Sequence, residues 1–177
     1  MNLSPIARIS GLLSAGLFAG FLVAVLVLEL SLRRFGASVY TQVRMVELDA
    51  LDRLAAATLV PALIAMTTVV VLALRGGTRV PRPHLTALIL LTAVLVTTIT
   101  VNMPINADQL TWDVETPPAD WTTARDRWQI AHAVRTVAAV LAFGCLAVAA
   151  HLGTGVPPDP RPRPRGRILP VPAPDRP

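Results

Sequence analysis

Four apolar runs of bilayer length decide what this chain can fold into. Ile9 to Leu28 and Ala55 to Leu74 are uncharged stretches of 20 residues each, and Leu85 to Ala107 is a third, its most apolar part ending at Val101. The fourth, Gln129 to Ala150, carries His132 and Arg135 near its start but no charge from Thr136 onward. Only about 20 consecutive apolar residues are needed to cross the hydrocarbon as an α-helix, and each run meets that length. Composition agrees: 15% of the residues are charged and 53% hydrophobic, whereas a water-soluble domain carries about 25% charged residues.

Backbone amides inside a bilayer must be satisfied within their own segment, so the runs are helices and not strands. The expected fold is therefore all-α, a four-transmembrane-helix bundle with spans at about 9–30, 55–74, 85–103 and 128–150. Residues 1–152 form this domain, and 153–177, with the alternating pattern PRPRPRGR, read as a disordered Pro/Arg-rich cytoplasmic tail, because proline there denies both helix and sheet. An even number of spans puts both termini on one side. Arg8, Arg75, Arg79, Arg82 and the tail arginines share that side, against Arg33, Arg34, Arg44, Arg53, Arg125 and Arg127 on the other. The bias predicts cytoplasmic termini in a multi-pass protein of the cell membrane. The net charge of +5 comes from arginine alone. Topology accounts for it, and the bilayer, not a nucleic acid, is the expected partner.

Smaller features fit the same picture. The first run is too long for a signal-peptide core and lacks a small-x-small cleavage site, which makes it a retained anchor. Gly16 and Gly20, with Gly11, Ala15 and Ala19, offer a small-residue stripe for close packing inside the bundle. The lone Cys145 behaves as a small hydrophobe. In the first outer loop Val43, Val46, Leu48, Leu51 and Leu54 recur at helical spacing among Glu47, Asp49, Asp52 and Arg53, predicting an amphipathic extracytoplasmic helix before span two.

Chemistry is concentrated in the third loop and the start of span four. Asp120 is a suitable N-cap, and the helix after it would align Trp121, Arg125, Trp128, His132 and Arg135 on one face, at spacings of four, three, four and three. Trp121 and Arg125 are read as interfacial anchors. His132 and Arg135 lie deeper, where ionisable groups face the bundle interior and find partners. Glu29 ends span one on that side, Asn102 and Asn106 end span three, and Glu47 precedes span two, so an outward pocket is expected where they meet. Glu29 paired simply with Arg135 is the structural alternative.

No phosphate loop, CxxC pair or dinucleotide fingerprint occurs, so no organic cofactor is expected. His132 and His151 stand 19 residues apart on one helix, about 28 Å, and His84 belongs to the inner side. A metal would have to be held by His132 with Glu29 or Glu47, the lesser reading.

These residues carry a family resemblance. Asn102-x-Pro104-x-Asn106, then Leu110 and Trp112, then Trp121, Arg125, Trp128, His132 and Arg135, resemble the DUF1772 family of small four-helix membrane proteins, which includes the anthrone oxygenases of polyketide pathways. The likeness covers roughly residues 8 to 152. It implies an oxygenase that inserts oxygen from O₂ into an activated ring carbon of an apolar small molecule. In that scheme His132 is the base, Arg135 with Asn102 and Asn106 steadies the enolate, and Glu29, Glu47, Trp112 and Trp128 line the substrate pocket. The alternative is a non-catalytic membrane accessory or lipid-binding protein. A transporter finds less support, since no inverted repeat is visible. Oligomeric state is not legible.

Overall fold

Helix formation follows the apolar runs but overshoots each of them. The computed structural model of the chain describes residues 3–153, and the Pro/Arg-rich segment lies outside the described residues. Helix α1 spans Leu3–Leu32, α2 Ala37–Arg75, α3 Arg82–Thr97, α4 Met103–Gln109 and α5 Trp121–Gly153, with a π-helical turn at Thr98–Asn102 joining α3 to α4. No strand occurs among the described residues. Four segments are long and apolar enough to cross a membrane: Pro5–Leu32, Ala37–Arg75, Arg82–Gln109 and Trp121–Leu152. Only 22–33% of each apolar window is buried within the chain, so most of these side chains face outward. Lipid is the medium that accepts such a surface.

The helices form a ring in which α1 packs on α2 and α5, α3 packs on α5, and α2 meets α3 more sparsely. Small residues let the backbones approach: Ala15, Ala62, Ala87, Ala139 and Ala142 are fully enclosed, interleaved with Phe18, Leu22, Met66 and Leu91. Within the predicted glycine stripe, a Cβ on Gly11 would collide with Met66, and one on Gly16 would come within 2.9 Å of Phe143. Gly20 faces open space, so Ala15 and Ala19 do the close packing there instead. Hydroxyls turned to lipid bond back to their own helix, as Thr68 does to Ile64 O and Thr92 to Leu88 O, both at 2.8 Å.

Two segments add detail to the sequence expectation. The helix expected before span two leads straight into it: α2 runs unbroken for 39 residues through Pro61, about 58 Å, nearly twice the hydrocarbon thickness of about 30 Å. Its inner face is mixed in polarity. Thr41, Arg44, Glu47 and Leu48 are buried, whereas Val46 is 67% and Leu54 47% exposed. Polar side chains join apolar ones on the inner face because partners wait there, and Asp49 and Arg53 face out.

The third long helix continues through the NMPIN segment. Pro104 has no N–H to give to Thr100, and its ring crowds that carbonyl. The chain widens its preceding turn, with Met103 N–H reaching five residues back to Thr98 O, and the helix continues to Gln109. Such π turns re-aim side chains and are frequent at functional sites. Here the turn sends Asn102 into the bundle, fully buried, while Met103 stays 54% exposed.

Candidate functional site

Four helices contribute to a polar cluster at the end of the bundle remote from Leu3 and Gly153. At its centre is Arg44 of α2, 2% exposed. Its Nη1 donates to Glu29 Oε1 at 3.0 Å and to Glu47 Oε2 at 2.6 Å. Its Nε and Nη2 donate to Gln109 Oε1 at 3.0 and 2.9 Å, and Nη2 also to Asn106 Oδ1 at 3.0 Å. The guanidinium lies 4.2 Å from the centre of the Trp128 ring, a cation–π distance. Outer partners lock the inner ones: Gln129 Nε2 donates to Glu29 Oε2 at 3.0 Å, Gln109 Nε2 to Tyr40 Oη at 3.2 Å, and Trp128 Nε1 to Asn106 Oδ1 at 2.6 Å.

A second layer belongs to α5. His132, fully buried, stacks on Trp128 with ring centres 4.7 Å apart. Its Nδ1 receives Arg135 Nε at 3.2 Å and Nη2 at 2.8 Å. A guanidinium can only donate, so Nδ1 is the acceptor. The ring proton is then on Nε2, which points to Leu22 O at 3.0 Å. Arg135 also donates from Nη1 to Thr98 Oγ1 at 3.0 Å, from the π turn. Unlike Arg44, Arg135 has no carboxylate within 4.0 Å among the described residues.

Both layers face one cavity of about 270 Å³. Phe18, Phe21 and Val25 of α1, Leu48, Leu51 and Leu59 of α2, and Leu95, Ile99 and Met103 make its walls mostly apolar. Arg44, Glu47, Asp52, Thr98, Asn106, His132 and Arg135 supply the polar part. Several lining residues are themselves exposed, notably Val60 at 47%, Ile99 at 53% and Met103 at 54%. They sit on α2 and on the third span, so the cavity opens through the sparse seam between those helices, toward lipid.

Of the sequence candidates, His132, Arg135, Asn106, Trp128 and Glu47 line the cavity together. Glu29, Asn102 and Trp112 do not. Glu29 is fully buried behind Arg44 and pairs with it, not with Arg135. Asn102 bonds the Trp128 carbonyl at 3.3 Å, and its Oδ1 has no partner. Trp112 packs with Leu32 and Tyr40 in a separate cluster, its Nε1 on Asp108. Trp121 and Arg125 pair with each other, 4.9 Å apart, outside the cavity. Arg44, Gln109, Gln129 and Thr98 escaped sequence reading; Arg44 standing three residues before Glu47 on a helical pattern was the available signal. No three His, Cys, Asp or Glu side chains among the described residues are arranged to hold a metal ion. Both His132 nitrogens are taken, so the arrangement does not fit an ion on that ring.

No curated protein matches the chain. No solved structure matches it either. The family model described as anthrone oxygenase matches residues 51–145, more than half of the 177 residues. That segment runs from the middle of α2 through the π turn to Cys145 of α5 and contains Asn102, Asn106, Trp128, His132 and Arg135. The match and the four membrane-length helices together place the chain in the anthrone oxygenase family.

Proposed function

We propose that this protein is a membrane-embedded oxygenase that converts an acidified ring CH₂ of an apolar, polyketide-like aromatic to a carbonyl with O₂, within the cavity between α2 and α3. The observation that carries the reading is Arg135, a cation facing a mostly apolar cavity with no carboxylate within 4.0 Å among the described residues, Asp52 lining the same cavity farther off. A developing enolate oxygen supplies the missing charge, and preorganised donors aimed at such an oxygen are the strongest single device for lowering a barrier of this kind. Asn106 adds polarity at the cavity wall, and His132 holds Arg135 by accepting two of its donors.

The chemistry balances without a further reductant. A C–H proton leaves and its electron pair remains as the enolate; O₂ takes up electrons from that carbon and bonds to it as a peroxide. Loss of the second C–H proton with cleavage of the O–O bond gives the carbonyl and one water. O₂ dissolves readily in hydrocarbon, so an opening toward lipid serves both reactants. The arginine distribution supports cytoplasmic termini, an orientation in which the cavity lies toward the outer leaflet of the cell membrane.

Anthrone is the simplest probe. Purified protein in nanodiscs should consume one O₂ for each anthraquinone formed, and absence of uptake would remove the reading. The lipid-facing opening also favours a second reading, a non-catalytic lipid-binding protein, which lipid retained in the cavity without O₂ uptake would select. Narrowing the seam with Ile99→Trp should lower kcat/KM by about tenfold, or about 1.4 kcal/mol. An unchanged kcat/KM would place the way in elsewhere.

A further inference from the structure

One carboxylate oxygen at the cavity wall has no hydrogen-bond partner among the described residues. Glu47 is 5% exposed and lines the cavity alongside Arg135. Its Oε2 is held by Arg44, but its Oε1 is buried with no hydrogen-bond partner among the described residues. Leaving such an oxygen unpaired costs about 1–3 kcal/mol, so a buried orphan calls for an explanation. The neighbouring imidazole offers no comparable vacancy, since Nδ1 accepts from Arg135 and Nε2 meets the Leu22 carbonyl.

We infer that Glu47 is the catalytic base, its free Oε1 receiving the ring C–H proton while Oε2 stays on Arg44. The inference rests on the oxygenase reading above. Charge placement supports it. Around the cavity stand two guanidiniums, Arg44 and Arg135, and three carboxylates; Glu29 and Glu47 both sit on Arg44, and Asp52 lines the cavity more than 4.0 Å from either guanidinium. Passing a proton from the ligand to Glu47 leaves Glu29 paired with Arg44 and creates an anion on the ligand, in the cavity that Arg135 lines. Negative charge is relocated within one preorganised site instead of being raised anew in a low dielectric.

The step is closed in atoms and electrons. The C–H bond breaks, an O–H bond forms on Glu47, and the electron pair stays on the ligand, delocalised onto its ring oxygen. Once O₂ has become a peroxide on the carbon, the proton returns to the peroxide oxygen. Glu47 can then take the second C–H proton as the O–O bond breaks, and the departing hydroxide receives it as water.

Anaerobic mixing isolates the proton step, because the conjugate base of anthrone absorbs at longer wavelength than the ketone. Wild-type protein in nanodiscs should generate that band, and Glu47→Gln should slow its appearance by about 10²–10⁴-fold while still binding anthraquinone, read by tryptophan fluorescence. Glu47→Ala should recover part of the rate when formate is added, a rescue that a merely structural carboxylate would not show. Undiminished anion formation in Glu47→Gln overturns the assignment, as does a Glu47→Ala protein that binds anthraquinone yet gains nothing from formate. If wild type forms the anion but takes up no O₂, the oxygenase reading falls and the assignment of Glu47 stands or falls on the variants; if wild type forms no anion, both fall.

Discussion

Replacing Arg44 by methionine is expected to destabilise the folded protein by roughly 3–5 kcal/mol, the usual result of removing one side of a buried ion pair. Methionine follows the arginine stem in shape but donates nothing. Glu29 and Glu47 would be left facing each other without their shared cation, and Gln109 and Asn106 would lose donors as well. For a chain of this size the loss corresponds to a fall in apparent melting temperature on the order of 10 °C. Combining Arg44→Met with Glu29→Gln and Glu47→Gln should restore much of it, because the stranded charges go with their partner. Thermal unfolding in one detergent, read by circular dichroism for the single and triple variants, checks both halves. An Arg44→Met protein as stable as wild type would mean that the cluster is not what joins these helix ends.

The spans were legible because hydropathy over about 20 residues reports a single physical quantity, transfer into hydrocarbon. Their ends were less so, for a specific reason. Asn102 and Asn106 look like the exit from the membrane when polarity is read along the chain. In three dimensions the π turn directs Asn102 into the bundle and leaves Met103 outside, so the segment continues as a helix with a lipid-compatible exterior. Among the apolar residues at helical spacing before span two, Leu48 turns inward with Arg44 and Glu47, whereas Val46 and Leu54 face outward, a surface that lipid accepts.

The site was half legible. His132, Arg135, Trp128, Asn106 and Glu47 share the cavity, as their spacing and topology suggested. Arg44 was counted only as a loop charge, because its burial depends on Glu29 and Gln109, 15 and 65 residues away. No local pattern carries that information. Trp112 was drawn into the pocket by its position after the Asn-Pro-Asn motif, whereas the turn at Leu110 and Thr111 carries it toward Tyr40.

Arg135→Gln should behave in the opposite way to Arg44→Met, losing activity while keeping the fold. No carboxylate is paired with Arg135 among the described residues, so its removal strands no buried anion. What goes are donors to His132 Nδ1 and Thr98 Oγ1, contacts worth about 1 kcal/mol each, which glutamine partly replaces. Turnover is another matter, since the enolate would lose its only cation without a carboxylate of its own. A drop in kcat on anthrone of about 10²–10³-fold is expected, the scale on which a donor to a developing oxyanion is missed. Arg135→Lys should fall between, because one ammonium cannot both donate to His132 in two places and meet the ligand. Measuring kcat and melting temperature on the same preparations separates the roles of the two arginines. Wild-type turnover in Arg135→Gln would end the enolate assignment, and a collapse in stability matching that of Arg44→Met would make Arg135 a strut.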